Sequence, residues 1–131
     1  MQKTLKILSL LLSYPTRELQ DEAQDLCLAL RDEACLSERQ EKLLRALIED
    51  IANLDLYDAQ ERYVLLFDRT RSLSLHLFEH VHGESRDRGQ AMVDLMATYE
   101  AAGFRIDTRE LPDYLPLFLE YLSVRPEAEA R

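Results

Sequence analysis

The stretch that organises this chain is SLHLFEHVHGESRDRGQ, residues 74–90. It contains all three histidines of the protein and two of its three glycines. Apolar side chains as far as Val81 give way to a dense group of charged ones, and a new apolar pattern follows. The stretch predicts a short apolar helix from Leu75 to about His82, a left-handed end at Gly83 and a second helix after it. Any chemistry or recognition is expected to be placed relative to this polar break.

The remainder of the chain has helical rather than strand periodicity. The first helix is predicted over residues 3–13, the second from a Thr16 cap to about residue 32, and the third from a Ser37–Gln40 capping box through residue 51. The fourth is predicted from about residue 56 through residue 67, and the fifth over residues 75–82. The sixth is predicted from a Ser85 cap to Gly103, and the last begins within residues 111–116 and continues through residue 122. The third of these is expected to bury Leu43, Leu44, Leu47, Ile48 and Ile51. We predict an all-α fold, a single helical bundle of six to seven helices spanning residues 1–131.

The charge balance is strongly acidic, with 25 acidic against 16 basic residues and a net charge of −9. Acidic residues outnumber basic ones in both halves of the chain, and no basic stripe is present, so a nucleic-acid partner is not expected. Such a surface attracts a basic partner, for example a cationic peptide, more readily than a phosphate ligand.

Membrane and redox signals are weak. The apolar run from residue 7 to residue 12 is far shorter than the roughly 20 residues that span a bilayer. It also lacks a small-residue cleavage site, so a cytoplasmic protein without direct membrane insertion is expected. Cys27 and Cys35 form neither a disulfide framework nor a metal cluster, and Cys27 among leucines is interpreted as a small buried apolar residue.

The histidines allow two interpretations. On a helix, His76 and His80 lie on one face with His82 and Glu79 or Glu84 nearby, as in a metal site. The order of these residues is not the His-Glu-x-x-His of metalloproteases, because Glu79 directly precedes His80. Structural histidines that hydrogen-bond to neighbouring carboxylates and backbone are favoured, since apolar residues surround both positions.

The charged residues after Gly83 also allow two interpretations, which stay open at this point. One is a solvated helix start with weak ion pairs. The other is a partly buried network in which Arg86 and Arg88 bind carboxylates such as Asp87 and fix the helix break. Ser85 is not a credible nucleophile, because its surroundings lack the Gly-x-Ser-x-Gly elbow. No catalytic residue is predicted.

Aromatic residues recur at helical spacing in two places, where they form either core or a groove for an apolar helix. They are Tyr63 and Phe67 in one segment, and Tyr114, Phe118 and Tyr121 in the other. Asp113 is most simply the N-cap of the last helix; alternatively, its carboxylate faces a cationic peptide.

Four stretches together resemble one family. Residues 77–95, LFEHVHGESRDRGQAMVDL, resemble the signature of the nitrate reductase molybdenum-cofactor assembly chaperones, the NarJ-type delta subunits of the TorD-like redox-enzyme maturation proteins. Residues 111–122, LPDYLPLFLEYL, resemble the second signature. Tyr63 with Leu66 and Phe67, and the Leu-x-x-Leu-Leu-x-Tyr-Pro pattern over residues 8–15, are similar to further family elements.

This resemblance implies a TorD-like helical fold without catalysis and without a cofactor of its own. It implies binding of the apo catalytic subunit of respiratory nitrate reductase through that subunit's N-terminal segment, a basic amphipathic helix, until the molybdenum cofactor is inserted. The residues expected to bind this partner are Tyr63, Phe67, Phe78, Glu79, Glu84, Asp113, Tyr114, Phe118 and Tyr121. Those expected to form a structural network around the helix break are His76, His80, His82, Arg86, Asp87 and Arg88.

The chain departs from the family in two respects. Many family members have an Asp-His pair where this chain has Asp113 and Tyr114, so a role for that histidine does not transfer. Family members also continue past residue 131, so we expect the C-terminal helices of the family to be absent here. A homodimer that replaces them, a histidine metal-binding protein and a self-associating helical domain are the alternatives.

Overall fold

The computed structural model describes residues 1–69, 73–81, 87–106, 110–126 and 129 of the 131-residue chain. Its α-helices are α1 Gln2–Leu11, α2 Arg17–Asp21, α3 Ala23–Glu33, α4 Glu38–Asn53, α5 Leu56–Tyr63, α6 Leu77–Val81, α7 Asp87–Ala101 and α8 Leu115–Ser123. A π-helical segment, Val64–Asp68, continues α5. Apart from an isolated antiparallel bridge between His76 and Tyr114, regular structure in these ranges is helical, which confirms the all-α prediction.

Local side-chain hydrogen bonds begin several helices where the sequence predicted them. The Thr16 hydroxyl accepts the Leu19 N–H at 3.2 Å and caps α2. Ser37 and Gln40 exchange the two bonds of a capping box at 3.2 and 3.1 Å and begin α4. These bonds satisfy backbone donors that the first helical turn leaves without a partner.

Helix boundaries differ from the prediction in three places. The predicted second helix is divided at Glu22 into α2 and α3. Gln20 in α2 donates to the Ile51 and Leu54 carbonyls at 3.0 and 2.9 Å and so holds α2 against the end of α4. The predicted fourth helix changes to π geometry at Val64. The predicted helix over residues 75–82 is shorter, since α6 begins only at Leu77, and His82 and Gly83 lie outside the described residues.

The first hydrophobic cluster lies among α1 to α4. Its buried residues are Ile7, Leu11, Leu19, Leu26, Leu30, Ile48 and Ile51. The predicted buried stripe of α4 is wrong at Leu43 and Leu47, which are exposed. Packing against α2 and α3 covers one narrow side of α4, so two of its leucines stay at the surface.

The second hydrophobic cluster joins α7 to α8. Tyr99, Leu117 and Tyr121 are buried there, with Leu95, Phe104 and Phe118 packed around them. The Tyr99 and Tyr121 ring centroids are 4.9 Å apart and tilted, a favourable arrangement for aromatic pairs.

Contacts between α1 and α8 join the two clusters. The buried Ser9 hydroxyl donates to the Pro116 carbonyl at 2.5 Å, and Lys6 pairs with Glu120 at 2.9 Å. Pro116 lies in the first turn of α8, as predicted, where its missing N–H removes no helical bond. Within the described ranges, no helix is both long enough and apolar enough to span a bilayer.

Candidate partner-binding site

The two signature stretches meet in what we term the Asp113 junction, residues 75–78 and 111–115. The Leu77 N–H donates to the Asp113 carbonyl at 3.0 Å, and the Leu115 N–H donates to the Leu75 carbonyl at 2.7 Å. The Asp113 carboxylate accepts the Phe78 N–H at 2.9 Å. His76 and Asp113 are 37 residues apart in sequence. Backbone and side-chain hydrogen bonds therefore join two stretches that are distant along the chain.

Asp113 corrects both sequence interpretations of that residue. It does not cap α8, whose N-cap residue is Tyr114 and has no side-chain capping bond. It also cannot face a partner, because it is 0% exposed. Its carboxylate instead lies against the first turn of α6, where free N–H groups favour a negative charge.

The two described histidines make contacts expected of structural residues. His76 Nδ1 lies 3.4 Å from Asp113 Oδ1, and its ring is 5.6 Å from that of Tyr114. His80 Nε2 lies 2.7 Å from the Ser74 carbonyl oxygen. His76 precedes α6, so the prediction that His76 and His80 share a helix face is wrong. Among the described residues, no three His, Cys, Asp or Glu side chains are grouped to hold a metal ion.

A pair of tyrosine hydroxyls brings the two aromatic segments together. The Tyr63 hydroxyl donates to the Leu12 carbonyl at 2.8 Å and lies 3.1 Å from the Tyr114 hydroxyl. With the Tyr63 proton directed to Leu12, the Tyr114 hydroxyl is the donor between the two. Burial, followed by this hydrogen bond and nearby negative charge, raises the pKa of Tyr63 well above its usual value. Burial also raises the pKa of Tyr114.

An apolar groove opens beside this tyrosine pair. Its volume is about 220 Å³, and its lining residues are Leu11, Leu12, Pro15, Leu47, Ile51, Ala59, Arg62, Tyr63, Leu66 and Phe67. The rings of Tyr63 and Phe67 are 5.0 Å apart at one side. The π-helical segment directs the consecutive side chains of Leu66 and Phe67 into the groove.

Acidic side chains surround the groove residues in the sequence. Asp58, Glu61 and Asp68 are exposed on α5 and the π-helical segment. Arg62 lines the groove and pairs with the exposed Asp50 at 3.4 Å. A larger cavity, about 590 Å³, lies along α3 and α4 but is lined mainly by charged side chains, so it lacks the apolar surface of the groove.

The structure places the predicted aromatic partner-binding residues in different surroundings. Tyr63 and Phe67 line the groove. Tyr114 contacts Tyr63 from the Asp113 junction, and Phe78 is half-buried within that junction. Tyr121 is buried, which supports the core alternative for that residue and excludes contact with a partner. Phe118 is half-buried against the same cluster, and its predicted role in binding stays a prediction.

The charged part of the prediction stays untested. Glu84, His82 and Arg86 lie outside the described residues, as does the Glu79 side chain. Asp87 is exposed and Arg88 half-buried at the start of α7.

The sequence did not predict that Leu47 and the residues at the end of α1 line the apolar groove. The sequence offered no signal for this, because the apolar positions of α4 have the spacing of an ordinary buried face.

The fold has a counterpart among solved structures. A putative redox enzyme maturation protein from Archaeoglobus fulgidus superposes with a TM-score of 0.65 over 94% of this chain and 70% of that chain, at 22% identity. The chain therefore has the all-helical fold of that protein. The nitrate reductase delta subunit family matches residues 19–131, and the chain belongs to this family.

Named relatives lie within the same family. The nitrate reductase molybdenum cofactor assembly chaperone NarJ of Escherichia coli K12 is 50% identical over 126 residues, covering 96% of this chain and 53% of the relative. The probable assembly chaperone NarW of that strain is 51% identical, covering 97% and 52%. A probable NarJ of Bacillus subtilis 168 is 38% identical, covering 99% and 70%. The chain spans about half the length of the two Escherichia coli relatives.

Proposed function

We propose that this chain is a cytoplasmic chaperone that binds the apo catalytic subunit of a respiratory nitrate reductase and assists insertion of its molybdenum cofactor. Membership of the nitrate reductase delta subunit family supports this function, as do relatives named as assembly chaperones. In this proposal the chain supplies a binding surface and no catalytic group.

The apolar groove carries the proposal at the level of residues. We propose that it receives the N-terminal segment of the catalytic subunit as an amphipathic helix. Leu47, Leu66 and Phe67 would contact the apolar side of that helix, a common mode of peptide recognition. The exposed Asp58, Glu61 and Asp68 would attract its basic side and speed the encounter.

Isothermal titration calorimetry with a peptide of about 15 residues, roughly four helical turns, tests this proposal. The peptide is the start of the catalytic subunit of the nitrate reductase from the same organism. We expect Leu66→Glu to raise the dissociation constant at least about tenfold, because it places a charge in the apolar groove. The matched control is Leu65→Glu: Leu65 is 48% exposed beside the 41% exposed Leu66 but does not line the groove. Added salt should weaken the wild-type complex.

Two results would count against the proposal. A folded wild-type chain that binds neither the peptide nor the apo subunit would remove the function. Equal losses for Leu65→Glu and Leu66→Glu would remove the groove as the binding site while leaving the function intact.

A further inference from the structure

The apolar groove has one charged side chain in its lining, that of Arg62 on α5. This side chain is 36% exposed, and its guanidinium extends to α4, where Nη1 lies 3.4 Å from Oδ2 of Asp50. Long basic side chains commonly cover apolar surface with their carbon stem while the charged end stays in water. Arg62 therefore places a positive charge at the edge of an otherwise uncharged groove.

The ion pair with Asp50 uses only part of this guanidinium. The Asp50 side chain is 70% exposed, and exposed ion pairs contribute little because water screens them. A guanidinium carries five N–H donors, and in the described part of the chain Asp50 is the one side chain that accepts from Arg62. The other donors are thus open to water or to a bound partner.

A helix that covers the groove removes water from these donors. A guanidinium that loses water without gaining an acceptor is costly, and a lysine or arginine placed against it adds repulsion between like charges. A carboxylate at the same place accepts two parallel hydrogen bonds from the planar group and neutralises its charge. The position of a bound helix that lies opposite Arg62 therefore distinguishes acidic from basic side chains.

The surroundings of Arg62 have the opposite preference. Asp58, Glu61 and Asp68 are exposed on α5 and the π-helical segment, and they favour basic residues on a bound helix. A shift of one residue along such a helix turns the side chains by about 100°, so it would bring a different residue to Arg62. One basic lining residue within an acidic surface can therefore specify the register of the helix.

We propose that Arg62 is a specificity-determining residue, which binds an acidic side chain of the catalytic subunit's N-terminal helix and so fixes the register of that helix. This inference rests on the proposed function, because it takes that segment as the occupant of the groove. The bound helix is then basic overall but carries one carboxylate at the boundary between its apolar and basic sides.

Isothermal titration calorimetry with two panels of the peptide of about 15 residues tests the inference. In one panel each residue in turn is replaced by Glu, and in the other by Lys. With the wild type, Lys should bind more tightly at most exposed positions, whereas one position should favour Glu at least about tenfold. Arg62→Glu should reverse the preference at that position. Arg62→Lys should keep it in weaker form, since an ammonium lacks the planar fork.

The matched control is Arg39→Glu, which makes the same change of net charge at an exposed position of α4 outside the groove. It should affect all peptides alike and reverse no preference. Arg62 and Asp50 are both in contact with solvent, so the variants should fold normally, which their melting temperatures check.

Three results would overturn the inference. Peptide binding by the wild type without a position that Arg62→Glu reverses would do so and leave the proposed function intact; this includes the case in which Arg62 meets the carbonyl end of the helix. A reversal that Arg39→Glu produces equally would assign the preference to net charge. A folded wild type that binds no peptide would remove the inference together with the groove as the binding site.

Discussion

The carboxylate of Asp113 meets groups of its own chain instead of water. The Phe78 N–H and the His76 ring surround it, and the adjacent Asp113 carbonyl accepts the Leu77 N–H. A buried carboxylate is tolerated only when such donors replace its hydration. Asp113 therefore holds the start of α6 to the start of α8.

Asp113→Asn tests this role with little change of volume. The amide keeps an acceptor but loses the charge and places two N–H donors where acceptors are few, so we expect a loss of about 1–3 kcal/mol in the free energy of unfolding. Hydrogen exchange at the Leu77 and Phe78 amides should become faster. Asp21→Asn, at an exposed position that ends α2, serves as the control. Unchanged stability and exchange in Asp113→Asn would show that the carboxylate does not hold the junction.

The sequence indicated a local role for Asp113 because Asp beside Pro ahead of a helix is a common cap. Its real partner is a helix far away in sequence. Such a contact depends on how two segments meet in three dimensions, and a single sequence carries no signal for it. The same reason explains why the burial of Tyr121 was not predicted, since its spacing fits a groove and a core equally well.

At the scale of helices, starts and ends set by adjacent residues were predictable. Thr16, the Ser37–Gln40 box and Gly103 each act through bonds within a few residues of themselves. The division at Glu22 and the change to π geometry at Val64 were not predictable. No glycine or proline marks either position, so the sequence carried no local signal for them.

Gly103 allows a quantitative test at this scale. Its φ is +75°, and the Gly103 and Phe104 N–H groups donate to the Glu100 and Tyr99 carbonyls at 3.0 and 2.9 Å, a Schellman end. Because alanine is strained in left-handed backbone, Gly103→Ala should lower the free energy of unfolding by about 1–2 kcal/mol. Gly89→Ala, at a helical position with an ordinary φ angle, should leave the free energy of unfolding unchanged or raise it. Urea denaturation measures both, and equal effects at the two glycines would contradict the backbone explanation.

At the scale of the whole molecule, α1 touches both hydrophobic clusters and is anchored at its first residues. Glu33, at the end of α3, accepts the Lys3 and Thr4 N–H groups at 2.8 Å each and pairs with the N-terminal ammonium at 2.6 Å. Partial burial alone would raise the pKa of Glu33, but these donors outweigh it and lower the pKa from 4.5 to about 2. Folding therefore releases protons from Glu33 between pH 4.5 and about pH 2.

The sign of the pH dependence follows from that lowered pKa. Between pH 4.5 and about pH 2 the unfolded chain binds more protons at Glu33 than the folded chain, so stability from this residue is present above pH 4.5 and is lost as the pH falls towards 2. Glu33→Gln should lower stability at neutral pH by about 1–3 kcal/mol and flatten its dependence on pH in this window. Urea denaturation at several pH values measures this, with the exposed Glu49→Gln as control. An equally steep acid dependence in Glu33→Gln would assign the effect to other carboxylates.

The π-helical segment has a consequence for changes in chain length. A π turn holds one residue more than an α turn, so Val64–Asp68 contains a residue that an ordinary helix could omit. Deleting Leu65 would let this segment become an ordinary α-helix, and the side chains beyond it would keep nearly the same direction relative to those before it. The same deletion within the regular part of α5 would instead rotate everything beyond it by about 100° and turn Leu66 and Phe67 away from the apolar groove. The π-helical segment is therefore a place where the loss of one residue is tolerated, whereas a loss a few residues earlier would separate folding from recognition.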